Sequence, residues 1–223
     1  MVPDVDNLLA YLLKTFFFLL YNPFAWAYDW VASIVSGGRW IEWTYATLPY
    51  LEGDRILELG HGPGHLQVSM NQRGWLVFGL DLSRSMGRLA YQRLDRAGQP
   101  HRLVRGQAQY LPFSDGVFDQ IVSTFPSEYL FQPQTIAEIR RVIRPGGRLV
   151  VLPVAWIGHG TRIDRGLEVI FRITHQAPEK KDEQWKIRMV DQFQQAGFNV
   201  RTETVIVASS EIFLVMASLP KLL

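Results

Sequence analysis

The chain reads as an α/β protein: a doubly wound, seven-stranded, mostly parallel sheet with an antiparallel C-terminal strand and a helical cap at the N-terminus. Three observations predict this. Short apolar runs alternate with helical patterns from residue 55 to residue 154, which is the order of a parallel sheet covered on both faces. The first run, Ile56 to Leu59, leads into glycines at 60, 62 and 64, and a strand, glycine turn and helix in succession mark the binding corner of such domains. The last two runs, Phe198–Ala208 and Ile212–Met216, are joined by Ser209-Ser210-Glu211, a turn short enough to require an antiparallel pair.

The elements follow in order. Asp6 or Asn7 can cap a helix over residues 5–21. Leu8 to Tyr21 is almost wholly apolar, interrupted by Lys14 and Thr15 and ended by Asn22-Pro23. A bilayer span needs about 20 apolar residues, so this run is too short to cross. Asp4 and Asp6 before it do not suit a signal peptide. Its apolar residues cover more than one face, which fits either a lid packed on the domain or an interfacial helix over residues 1–22 that touches a membrane or a greasy substrate. A second helix, Phe24–Ser36, stops at Gly37-Gly38, and a third covers Arg39–Leu51. Residues 1–51 therefore form the cap, and 52–223 the main domain. Strands are expected at 55–59, 75–80, 101–105, 118–123 and 147–154, with helices near 65–73, 83–97 and 133–143. Residues 156–183 read as an inserted cap segment with an apolar stripe at Ile163, Leu167, Ile170 and Phe171. A helix over Glu183–Gln195, ended by Gly197, precedes the final strand pair.

Composition narrows the function. With 48% hydrophobic residues the chain is no disordered segment. Its 23 basic and 21 acidic residues leave a net charge of +2, without the basic excess of a nucleic-acid binder. The absence of cysteine excludes disulfides, thiolate zinc sites and a cysteine nucleophile. His159, His175, Asp164 and Glu168 share no metal-ligand spacing, so no metal is expected.

The glycine turn carries the chemistry. Its spacing is G-x-G-x-G, whereas the dinucleotide fingerprint is G-x-G-x-x-G, and no Gly-Lys-Ser/Thr loop is present. Both a nicotinamide oxidoreductase and a nucleoside triphosphatase are disfavoured. Glu58, just before the turn, would repel a pyrophosphate and attract an ammonium. Asp81 ends the second strand, where a carboxylate can accept from both ribose hydroxyls. These features point to a nucleoside cofactor with a cationic tail and no phosphate.

The segment Glu58-Leu-Gly-His-Gly-Pro-Gly64 resembles the first motif of class I S-adenosylmethionine-dependent methyltransferases, a Rossmann-like family. Gly79-Leu-Asp-Leu-Ser-Arg-Ser-Met86, the run from Gly106 through Gln107-Ala108 to Asp119, and Arg144-Pro-Gly-Gly-Arg-Leu-Val-Val151 resemble its next motifs in the expected order, over about residues 52–154. The resemblance is nearest to the ubiquinone/menaquinone-type small-molecule branch. It implies S-adenosylmethionine as cofactor, contacted by Glu58, Gly60, His61, Gly62 and Gly64 of the first motif and by Asp81 on the ribose. Leu82 and Met86 would flank the adenine, Gln107 and Ala108 would meet its edge, and Ser123 and Thr124 would stand at the end of the fourth strand. Tyr28, in a Tyr-Asp pair on the cap, would cover the cofactor. Gln107 departs from the family's usual Asp, keeping an acceptor oxygen but no charge.

The implied activity is methyl transfer to a hydrophobic small-molecule or lipid-like acceptor, in a cytoplasmic or membrane-peripheral protein. Aromatic residues such as Trp26, Trp30, Trp40, Trp43 and Trp156 suit an apolar acceptor. No Ser/His/Asp or Asn-Pro-Pro-Tyr arrangement stands out, so no catalytic base is assigned. The alternative is a non-catalytic cofactor-binding or membrane-associated interaction protein on the same fold.

Overall fold

The computed structural model describes residues 28–157 and 183–221. The apolar run at 8–21, the side chain of Tyr28 and residues 158–182 of the inserted segment lie outside the described set. Seven strands form one sheet: β1 (Arg55–Leu59), β2 (Leu76–Asp81), β3 (Leu103–Arg105), β4 (Phe118–Thr124), β5 (Ile143–Ile157), β6 (Asn199–Val207) and β7 (Ser210–Ser218). Their order is β3-β2-β1-β4-β5-β7-β6. β1 to β5 pair in parallel, and β7 runs antiparallel to both β5 and β6. This is the doubly wound sheet expected from the sequence.

The helices are α1 (Tyr28–Ser36), α2 (Trp40–Tyr45), α3 (His65–Gln72), α4 (Arg84–Arg96), α5 (Pro133–Val142) and α6 (Glu183–Gln195). Side chains alternate between two core layers, because successive residues of a strand point to opposite faces. Ile56, Val122, Val150 and Leu214 meet Trp43 of α2 with Leu66 and Met70 of α3. Leu57, Ile121, Val151 and Val215 meet Ile139 of α5 and Phe193 of α6. Burial on both faces is why these strands read as continuous apolar runs. Each such side chain contributes about 1.5–3 kcal/mol. Among the described residues no helix is long and apolar enough to cross a membrane.

Four expectations are corrected. The helix expected over 39–51 is α2 followed by a 3-10 turn at Leu48–Tyr50; Pro49 has no N–H to continue an α-helix. β3 begins at Leu103, two residues later than read, and β5 extends to both sides of 147–154. Trp156 and Ile157 thus belong to the sheet, where they pair with Glu211 and Ser210, and not to the inserted segment. The final hairpin turns on Ala208 and Ser209, with φ of 46° and 64°, and Ser210 already pairs with Val207. Two positive φ values in a two-residue loop match the twist of the strands, a geometry usually signalled by Asn-Gly and therefore invisible in Ala-Ser.

The carboxyl ends of β1, β2, β3 and β4 meet on one edge. The chain winds outward from β1 through β2 and β3 on one side, and through β4 and β5 on the other. The crevice between β1 and β4 is the topological switch point, where open parallel sheets hold ligands. At the opposite edge Asp119 ties the amino ends of β1 and β4 together: its carboxylate accepts the Asp54 and Arg55 N–H groups at 2.7 Å each and pairs with Arg144 Nε at 2.8 Å.

Candidate functional site

The loop after β1 is built by glycines that differ in what they do. Gly60, Gly62 and Gly64 have φ of 73°, 51° and 84°. A Cβ on Gly60 would lie 2.6 Å from the Tyr129 hydroxyl, and one on Gly64 would lie 2.8 Å from Ala90 Cβ and 2.9 Å from Ala90 Cα. Gly64 therefore lets α4 close onto the start of α3, for which it is the N-cap. A Cβ on Gly62 would meet nothing within 4 Å. Packing explains Gly60 and Gly64. It does not explain Gly62, whose bare backbone faces open space at the switch point. Pro63 sits before α3, in the turn closed by Gly64 N–H to His61 C=O at 3.1 Å.

Asp81 ties this loop to α4. One carboxylate oxygen accepts Gly62 N–H at 2.9 Å and the other accepts Ser83 N–H at 2.7 Å. The helix cap is Ser83, whose hydroxyl accepts Met86 N–H at 3.2 Å. Asp81 is thus not the capping side chain, and each of its oxygens keeps a second lone pair for a ligand.

Beneath the loop, Glu58 is 2% exposed and accepts from Gln67 Nε2 at 2.8 Å. Burial pushes its carboxyl up to about 8; the Gln67 bond opposes this and the Asp81 charge adds to it. His61 is also buried, and its Nδ1–H donates to the Gly62 carbonyl at 2.8 Å. Burial holds its imidazole below the usual histidine range, although Asp81 pulls the other way. Both shifts favour the uncharged forms, so Glu58 does not offer the full negative charge expected of it for attracting an ammonium.

The upward shift of Glu58 predicts a pH dependence. A carboxyl with a folded pKa near 8 and an ordinary value of 4.5 holds its proton in the native state where the unfolded chain has lost it. Its contribution is complete below about pH 4.5 and falls by about 1.4 kcal/mol per pH unit until about pH 8. Glu58→Gln keeps the shape and cannot ionise. The stability difference between wild type and variant, measured by urea denaturation at pH 5 to 8.5, should shift in the variant's favour as pH rises. Parallel curves would show that Glu58 does not hold its proton.

The other expected residues fall into two groups. Leu82 is 59% exposed at the end of β2, Gln107 is exposed, and Thr124 is half-buried, so these three are open to the edge. Ala108 is buried on the same side. Met86 is 1% exposed and belongs to the interior face of α4, without the open wall expected for it. Ser123 is fully buried, and its hydroxyl donates to the Leu59 carbonyl at 2.8 Å. Arg141 braces the loop after Ala108, donating to the Leu111 and Phe113 carbonyls at 2.9 and 2.7 Å.

Sequence reasoning missed two features, the packing of Tyr129 and the ties made by Asp29. Tyr129, on a 3-10 turn after β4, lays its hydroxyl against Gly60. Asp29, the neighbour of Tyr28, accepts from His65 Nε2 at 3.1 Å and from Arg93 Nη2 at 2.6 Å, and Arg93 also donates to the Pro63 carbonyl. This fastens α1 to the glycine loop. Phe125 has φ of 49° and stacks on Trp40 with centroids 4.1 Å apart. A bulky residue in that backbone region is strained, and such strain concentrates at ligand sites. The paired aromatics form an apolar wall beside the switch point.

Residues 57–151 match the family model described as a methyltransferase domain. The demethylmenaquinone methyltransferase of Symbiobacterium thermophilum is 31% identical over 147 residues, covering 60% of this chain and 57% of that protein. The ubiquinone/menaquinone biosynthesis C-methyltransferase UbiE of Paracoccus denitrificans is 33% identical over 141 residues, covering 60% and 56%. The chain thus spans less than two thirds of the length of these curated relatives. A solved structure from Methanococcus maripaludis, described as a putative S-adenosyl-L-methionine-dependent methyltransferase, superposes with a TM-score of 0.58 at 18% identity, over 87% of this chain and 91% of that one. At that identity the likeness is one of fold.

Proposed function

We propose that this chain, whose residues 57–151 match the model of a methyltransferase domain, transfers a methyl group from S-adenosylmethionine to a hydrophobic small-molecule acceptor. The observation that carries this is the bare Gly62 backbone beside Asp81 at the switch point. The residues fit the cofactor. Asp81 has lone pairs left for two ribose hydroxyls. Leu82 and Gln107 stand open where an adenine would lie, and Gly62 lets the backbone approach the methionine part. When bound, the cofactor supplies an activated methyl on a sulfonium. The chain then needs to orient the two partners and exclude water, because alignment alone can lower a barrier by several kcal/mol. The Trp40–Phe125 wall suits an apolar acceptor, and relatives named for demethylmenaquinone and ubiquinone/menaquinone point to a quinone-like ring.

Adenosylmethionine should raise the melting temperature, and NADH should not. At one hundred times Kd a ligand selective for the native state adds about 2.7 kcal/mol, or about 5–10 °C for a chain of this size. Methyl transfer to a demethylated quinone should then be detected by mass spectrometry. Tight binding of NADH without binding of adenosylmethionine would overturn the reading.

A further inference from the structure

A second opening lies between α4 and β3, on the helix side of Asp81. Its volume is about 370 Å³, and its walls include Arg84, Arg88, Tyr91 and Gln92 of α4, Leu103 and Arg105 of β3, and His61. It shares only Asp81 and His61 with the expected cofactor contacts; Leu82, Gln107 and Ala108 do not line it. The volume falls in the range of small-molecule sites.

The charges here are arranged against their own stability. Arg84 and Arg88 are one helical turn apart on the same face, where like charges repel. Arg84 opens α4, whose first turn contains no acidic residue, so a cation sits at the positive end of the helix dipole. Neither guanidinium makes a hydrogen bond or ion pair among the described residues. Arg105 adds a third cation from the facing strand and spends only its Nε, on the Leu82 carbonyl at 3.1 Å. The one carboxylate of the groove, Asp81, is turned to the Gly62 and Ser83 N–H groups. With a net charge of +2 over the whole chain, this cluster is not the by-product of a basic protein.

We propose that the groove binds a phosphate group. Arg84 and Arg88 clamp its oxygens, Arg105 closes the third side, and Leu103 and Val104 carry the organic part. Guanidinium forks match phosphate oxygens in geometry, and an anion at this place turns the repulsion between Arg84, Arg88 and the helix end into attraction. The proposal does not rest on methyl transfer, although Asp81 and His61 border both sites. It accepts either a soluble phosphate ester or a phospholipid headgroup.

The test compares wild type with Arg84→Gln/Arg88→Gln and with Arg96→Gln, an exposed arginine of the same helix outside the groove. Inorganic pyrophosphate, at ionic strength matched with sodium chloride, is titrated by calorimetry. Phosphatidylglycerol and phosphatidylcholine vesicles are tested by co-sedimentation. Wild type and Arg96→Gln should bind pyrophosphate, or bind only the phosphatidylglycerol vesicles if the source is a lipid. The double variant should lose at least tenfold in affinity while its circular dichroism and adenosylmethionine binding stay as in wild type. Absence of binding to both probes overturns the proposal. So does equal binding by the double variant, or an equal loss in Arg96→Gln, which would show general charge attraction. If the double variant fails to fold, Arg105→Gln is the second probe, expected to weaken the same binding severalfold.

Discussion

Gly64→Ala is expected to destabilise the protein by about 3 kcal/mol. Two effects add. A φ of 84° places a Cβ against its own backbone, at a cost of roughly 1–2 kcal/mol. The new methyl would also lie 2.9 Å from Ala90 Cα, and main chain cannot rotate away as a flexible side chain can. Overpacking of this kind adds roughly 1–3 kcal/mol. α4 must move outward, and it carries Asp81's partner Ser83 with it. The contrast is Gly62→Ala. Its Cβ would enter open space, so only the backbone strain of about 1 kcal/mol remains, yet the methyl would project where the proposed ligand lies. Guanidinium denaturation should therefore rank the variants with Gly64→Ala far below Gly62→Ala, and adenosylmethionine binding should be lost in Gly62→Ala while the fold persists. Equal stabilities would mean that α4 yields freely and that Gly64 is not a packing glycine.

The loop was legible in the sequence because its causes are local. An apolar strand, glycines at fixed offsets and a carboxylate at the next strand end describe neighbouring residues and a short reach across the sheet. The parallel sheet followed from the alternation of strands and helices, its binding corner from the glycine turn, and its antiparallel end from the short last turn. What stayed hidden depends on contacts between distant segments. Asp29, His65 and Arg93 are each ordinary surface residues until folding brings α1 beside α3 and α4. Tyr129 looks like any aromatic after a strand, and its packing on Gly60 is set by the 3-10 turn that carries it. The burial of Met86 and the bond from the Ser123 hydroxyl to the Leu59 carbonyl likewise depend on how α4 and β1 pack, and neither is written in the local sequence. The arginines of the second groove escaped notice for another reason: Arg84 and Arg88 lie on a helix and Arg105 on a strand, and the near-neutral total hides their convergence.

Asp81→Ala should weaken adenosylmethionine binding at least tenfold. Each charge-assisted bond to a ribose hydroxyl is worth about 1.5–3 kcal/mol, and tenfold is about 1.4 kcal/mol. The same substitution also strips the acceptor from Gly62 N–H and Ser83 N–H, bonded at 2.9 and 2.7 Å. A loss of affinity alone could then reflect a loosened loop. A double cycle with a 2′-deoxy cofactor analogue separates the two. If Asp81 holds the ribose, wild type discriminates against the analogue and Asp81→Ala does not, so the coupling between residue and hydroxyl exceeds about 1 kcal/mol. If Asp81 only fastens the loop, both proteins discriminate equally and the coupling vanishes. Asp81→Asn adds a check on the same logic. Its amide can accept one of the two backbone N–H bonds but presents its own NH₂ to the other, so the loop loses one tie and gains a clash of donors. It should therefore bind no better than Asp81→Ala despite its shape. A folded Asp81→Asn protein with wild-type affinity would remove Asp81 from the cofactor site altogether.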